Sequence, residues 1–233
     1  MENKLPTIST ARTMLLLANY FICYLFLYPF LFAKLTLYFD PTAVIISMPL
    51  QYIAYGLTFA STLWLAYPML VQSYERMKGH GKEHVMTILT HVFVILALNV
   101  ALSLLISMFT NTTTSTNQSE IVQSSYIQPL LNLIVTVGFA PFVEECVFRG
   151  GVFLKLREKL GFFWSALISG FLFGLIHVMS SLSAGDYADV MYVIVYAGIG
   201  FLLAYTLEKT KTVYACMAVH AISNLVALIL IYI

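Results

Sequence analysis

Charge is what this chain most conspicuously lacks. Only 10% of its 233 residues are Asp, Glu, Lys or Arg, against 60% hydrophobic. Soluble domains carry about 25% charged residues, so this chain could not cover a water-facing surface. Its net charge of +1 offers no basic patch for nucleic acid. Cysteine is scarce too: Cys23, Cys146 and Cys216 all lie in apolar runs and none are paired at a telling spacing, so no disulfide framework is expected. They read as small buried residues. The N-terminus shows no convincing cleavage site, and its first apolar run is too long for a signal-peptide core, so that run is expected to remain as an anchor.

What the chain does have is long apolar runs separated by short polar breaks. Seven reach, or come close to, the roughly 20 residues that cross a bilayer. They are Thr13–Tyr38, Ala43–Val71, Val85–Phe109, Tyr126–Phe148, Phe162–Ser180, Asp189–Leu207 and Thr212–Ile233. Gly138 and Pro141 interrupt the fourth, which is expected to be broken or partly re-entrant. The pattern predicts an all-α polytopic bundle of about seven transmembrane helices in one integral-membrane domain (residues 1–233). Its motif-bearing core falls at about 126–233. No internal repeat is visible.

Lys and Arg cluster in alternate breaks: Lys4 and Arg12; Arg76, Lys78 and Lys82; Arg149, Lys155, Arg157 and Lys159; Lys209 and Lys211. The other breaks lack both, apart from Lys34, which can snorkel. The positive-inside rule then places the N-terminus in the cytoplasm and the C-terminus outside. Seven-helix receptors have the opposite orientation and are set aside. The polar break Asn111–Glu120 reads as an external loop. Its Asn111-Thr112-Thr113 and Asn117-Gln118-Ser119 match the glycosylation pattern, which arises easily by chance in such loops.

Three polar groups interrupt the apolar runs. The first is Glu144-Glu145 followed by Arg149. Each charge at mid-membrane costs roughly 2.5–3.5 kcal/mol on the insertion scale, so the group needs pairing, protonation or a function. Glu145 and Arg149 are four apart and share a helix face. Glu144 points elsewhere and is the carboxylate left to act. The plainer alternative is a pair of rim carboxylates facing water. The second group is His177, four residues after Phe173, on a helix whose Gly170 and Gly174 permit close approach to a neighbour. The third is His220 with Asn224, also on one face; both can donate hydrogen bonds to one oxygen. Alone, either could be a packing residue. Depth argues for a common layer. At 1.5 Å per residue, Glu144 lies roughly 16–22 Å above Lys155–Lys159, His177 roughly 22 Å above Phe162, and His220 and Asn224 roughly 14 and 20 Å above Lys211.

The remaining histidines carry less. His80 and His84 lie in Lys78–His84, where Gly79 and Gly81 argue against a helix that could present both to a metal. His91 has no visible partner.

Taken in order, Glu144-Glu145-x-x-x-Arg149, Phe173-x-x-x-His177 and His220-x-x-x-Asn224 resemble the motifs of the CAAX-protease and bacteriocin-processing family, the CPBP or Abi intramembrane peptidases. The resemblance covers roughly Pro141–Leu225. It implies that Glu144 and His177 activate a water, that His220 and Asn224 hold an oxyanion, and that Glu145 and Arg149 brace the site, with Phe173 supporting. The implied substrate is a membrane-associated peptide or protein, prenylated for eukaryotic members. The family is often called metalloprotease, and Glu144, His177 and His220 could ligate zinc. The asparagine suits an oxyanion role better than a ligand role, so no obligatory metal is expected. Two other readings share these residues: a non-catalytic immunity or sensor-regulating protein of the same fold, and a proton-coupled transporter. The last would call for inverted repeats.

Overall fold

The structure, a computed structural model, describes residues 4–78, 80–110 and 112–232. With π-helical turns counted in, the described residues form eight helices: α1 Thr10–Phe39, α2 Met48–Met77, α3 Gly81–Thr110, α4 Thr116–Ile127, α5 Pro129–His177, α6 Met179–Ala184, α7 Tyr187–Thr210 and α8 Val213–Ile229. Five of them (α1, α2, α3, α5 and α7) are long and apolar enough to cross a membrane, and α8 is a shorter apolar helix. The described residues contain no strand.

α5 accounts for the difference between five long helices and seven expected spans. Its 49 residues would reach about 73 Å as a straight rod, more than twice the hydrocarbon thickness. It turns back at Gly161, where φ is +70° and ψ 176°, a conformation that a side chain would strain. The two limbs lie against each other: the Phe148 and Phe173 rings are 5.4 Å apart, and the Ser169 hydroxyl donates to the Phe148 carbonyl (2.8 Å). Phe148 and Phe173 are nearly equidistant from Gly161 along the chain, as an antiparallel hairpin requires. The fourth and fifth expected spans are therefore the limbs of this hairpin. The first limb runs on past Phe148 to the turn, because Leu154–Leu160 (LKLREKL) consists of strong helix formers.

Gly170 and Gly174 do what their spacing suggested. A Cβ on Gly170 would lie 2.6 Å from the Ala197 carbonyl oxygen, and one on Gly174 would lie 2.7 Å from that of Val193. The second limb of α5 thus meets α7 backbone to backbone.

The basic residues gather at one end of the bundle. Arg157 makes two hydrogen bonds to Glu208 (3.0 and 3.3 Å), Lys211 reaches the same carboxylate (3.2 Å), and Arg76 donates to the Leu5 carbonyl (3.3 Å). The opposite end is tied by neutral and acidic groups: the Thr116 N–H donates to Asp189 (2.7 Å), and the Tyr232 hydroxyl to the Ser125 carbonyl (2.8 Å).

Three expectations are corrected. The external loop becomes helical from Thr116, because Ser115 caps α4 by accepting from the Gln118 N–H (3.2 Å) and the helix start is anchored on Asp189. Asn117 is drawn inward to donate to Tyr196 (3.2 Å); Asn111 lies outside the described residues. Helix α3 begins at Gly81 and carries His84, so the glycine argument against a helix fails there; Gly79 lies outside the described residues. His91 does have a partner: its Nδ1 is 2.7 Å from the Thr206 hydroxyl.

Candidate functional site

Glu144 and Glu145 sit where the first limb of α5 widens. From Glu145 to Phe153 the helix winds in π turns, whose N–H groups reach back five residues; the Leu154 N–H, for instance, bonds the Arg149 carbonyl. Such insertions recur at functional sites. Pro141, one turn earlier, lies inside the continuous helix, so the expected break does not occur and its missing N–H only interrupts the backbone ladder there.

The two glutamates part company here. Glu145 is fully buried, its Oε2 2.9 Å from the Nε of the equally buried Arg149. Its Oε1 accepts from His220 Nδ1 at 2.9 Å. The Arg149 guanidinium lies 4.7 Å above the Phe173 ring. Glu145 is thus held between a cation and an imidazole, the pairing that a buried charge requires. Glu144 is held by neither. Its Oε2 has no hydrogen-bond partner among the described residues and stands 4.0 Å from His220 Nε2.

Phe173 is the hub. Its ring lies 4.4 Å from that of His177 and 5.8 Å from that of His220, which brings the second and third motifs together. His177 Nδ1 lies 2.7 Å from the Phe173 carbonyl. A carbonyl can only accept, so Nδ1 carries the proton and Nε2 is the free acceptor of the neutral ring. The same logic applied to His220, whose Nδ1–H donates to Glu145, turns its Nε2 toward Glu144. Asn224 donates from Nδ2 to the Thr136 carbonyl (2.8 Å), which leaves one amide N–H and the amide oxygen.

A cavity of about 950 Å³ joins these groups. Glu144, Phe173, His177, His220 and Asn224 all line it. Glu145 and Arg149 do not; they form its buried backing. The structure therefore brings all seven motif residues to one place and divides them into lining and support.

Sequence reasoning missed Tyr196, Thr136 and Ser223. The Tyr196 ring stacks on His177 at 4.6 Å and 21°, and its hydroxyl is 2.7 Å from that of Ser115. It joins His177 to the cap of α4. A lone tyrosine in an apolar run gives no signal of that. Ser223 is buried in the cavity wall with an unpartnered hydroxyl; its place beside Asn224 was the one available hint.

A resident metal would need several donors. Among the described residues no group of three or more His, Cys, Asp or Glu side chains is placed to hold one. Glu145 occupies His220 Nδ1, which leaves His220 Nε2, 4.0 Å from Glu144, and His177 Nε2 as the free nitrogen donors of the site.

Fold and site together define a polytopic helical membrane protein with a buried carboxylate–imidazole centre beside a large cavity. Residues 126–226 match the family described as "Type II CAAX prenyl endopeptidase Rce1-like". Over 110 residues the chain is 31% identical to the Bacillus subtilis (strain 168) protein named "Putative membrane peptidase YdiL", a stretch covering 47% of this chain and 41% of that protein. A Mycoplasma capricolum subsp. capricolum protein described as uncharacterized is 34% identical over 109 residues, 46% of this chain and 30% of its own length. The match thus covers less than half the length of either relative. No solved structure matches the chain. The resemblance drawn from the three motifs is borne out over the region that contains all of them.

Proposed function

We propose that this protein is an intramembrane endopeptidase of the CAAX-protease/bacteriocin-processing type, acting on a membrane-associated peptide or protein. The observation that carries this reading is Glu144: a carboxylate with an unpartnered oxygen, on the wall of a cavity shared with two imidazoles whose Nε2 atoms can accept protons.

Glu144, helped by His177, takes a proton from a water as its oxygen bonds to the peptide carbonyl carbon. The tetrahedral oxyanion accepts the free Asn224 N–H. It also accepts from His220 Nε2 in the ring that carries both protons, the second taken up from solvent before the water is activated and retained through the step, with Glu145 balancing its charge. Glu144 then passes its proton to the leaving amine as the C–N bond breaks. Proton transfer of this kind contributes about 10²–10⁴-fold in rate, and each oxyanion donor about 10²–10³-fold. Glu145 and Arg149 hold His220 in place without touching substrate. The family match and the relative named as a membrane peptidase support this reading.

The test is cleavage of quenched fluorescent peptides by detergent-solubilised protein, comparing wild type with Glu144→Ala and His177→Ala at matched folded amounts. The expected result is a loss of cleavage of at least about 10²-fold in each. Persistence of cleavage in both variants would overturn the catalytic assignment. Absence of cleavage by wild type on any peptide would favour an immunity or sensor-regulating role for the same fold.

A further inference from the structure

Pro141 lies in the first limb of α5, three residues before Glu144, where a proline is costly. Inside a helix its ring crowds the carbonyl four residues back, and it offers no N–H to the ladder. The limb runs through it all the same, and the residues just before it, Ile134–Phe139, wind in π turns. In that register each N–H reaches back five residues rather than four. The Ala140 N–H accordingly bonds the Val135 carbonyl. The next carbonyl in the row belongs to Thr136. Its donor in the same register would be the N–H of residue 141, and residue 141 is proline. The place is taken from outside the helix: Asn224 on α8, 88 residues beyond Thr136, donates from Nδ2 to that carbonyl at 2.8 Å.

Thr136 is held at its side chain as well. Its hydroxyl donates to Asn132 Oδ1 (3.2 Å), and the Asn132 amide donates to the Ser125 hydroxyl (2.7 Å) and the Ile121 carbonyl (3.3 Å). Asn224 therefore meets a fixed point. A carbonyl can only accept, so it selects the nitrogen side of the Asn224 amide and turns the amide oxygen away. The amide is planar, so holding one N–H sets the direction of the other. Thr136 and Asn224 both line the cavity that Glu144, His177 and His220 share.

We propose that Pro141 is a positioning residue. By withholding an N–H from the Thr136 carbonyl, it reserves that carbonyl for Asn224. It thereby fixes the second Asn224 N–H, the one assigned to the oxyanion, before substrate arrives. Donors set in place beforehand are the ones that favour a transition state. The contribution to cleavage rests on the peptidase reading; the link from Pro141 through Thr136 to Asn224 does not.

A double-mutant cycle on thermal midpoints in detergent tests the link without any substrate. Asn224→Ala strips the Thr136 carbonyl of its donor and is expected to lower the midpoint by about 2–6 °C. Pro141→Ala gives that carbonyl a backbone N–H and the helix interior a good helix former, and is expected to keep or raise the midpoint. In the Pro141→Ala background, Asn224→Ala is expected to cost less than about half as much. An equal cost in the two backgrounds, or a lowered midpoint in Pro141→Ala itself, would overturn the link. Peptide cleavage tests what the link does. Pro141→Ala is expected to lower kcat about tenfold with KM within about twofold, the signature of an interaction made in the transition state. Once Asn224 is replaced by alanine, it is expected to have no further effect. An unchanged kcat would overturn the positioning role. So would a loss that adds to that of Asn224→Ala, as it would if Pro141 acted by shifting Glu144. If wild type cleaves nothing, the peptidase reading fails, and the midpoint cycle still decides the link.

Discussion

The two halves of the bundle on either side of Glu144 are built on opposite rules. On the basic side the core is closed and its charges are matched: Glu145 with Arg149 and His220, Glu208 with Arg157 and Lys211. On the other side a wide cavity is lined by Glu144 and Ser223, whose Oε2 and hydroxyl are buried without hydrogen-bond partners, and by Asn224. Adjacent residues, Glu144 and Glu145, fall on either side of that divide. A charge in a membrane protein is therefore a clue to chemistry only when the fold has left it unspent.

Substitutions in the closed half should strike stability first. Arg149→Ala leaves Glu145 buried without its cation, and such breaks cost about 3–5 kcal/mol. A large drop in the thermal midpoint in detergent, or loss of folded protein, is expected; a normal midpoint would show that His220 alone suffices for Glu145. Gly170→Ala pushes a methyl into the α7 backbone and is expected to cost about 1–3 kcal/mol, read from the same midpoint. Gly161→Ala places a side chain at φ +70° and is expected to cost about 1–2 kcal/mol. An unchanged midpoint there would mean that the hairpin turns in some other way. In the open half, Tyr196→Phe keeps the ring on His177 but removes the hydroxyl that meets Ser115 and Asn117. A stability change of about 0.5–1.5 kcal/mol is expected, with cleavage largely kept. A larger loss of cleavage would show that anchoring α4 matters to the chemistry as well as to the fold.

Much of this arrangement was legible in the sequence because it is local. The Glu145–Arg149 pair follows from a spacing of four, the close α5–α7 contact from Gly170 and Gly174, and the number of passes from apolar length. What escaped was long-range or polar. Nothing in the sequence pairs His220 with Glu145, 75 residues away, or stacks Tyr196 on His177. Residues 116–120 read as loop because their Thr, Ser and Asn content is poor in helix formers; the helix that starts there depends on the Ser115 cap and on Asp189, 73 residues beyond Thr116. The first limb of α5 was read as too short because its end is charged, although those charges belong to helix-forming residues at the membrane boundary. His220 was read chiefly as an oxyanion donor, and its bond to Glu145 makes it equally a bridge between the two halves.

The most direct test sets the two neighbours side by side: Glu144→Gln against Glu145→Gln, with thermal midpoint and peptide cleavage measured on the same preparations. Glu144→Gln is expected to keep the wild-type midpoint and lose cleavage by at least about 10²-fold, while Glu145→Gln lowers the midpoint as its pairing with Arg149 fails. Cleavage surviving in Glu144→Gln, or the two variants behaving alike in both measurements, would contradict the account.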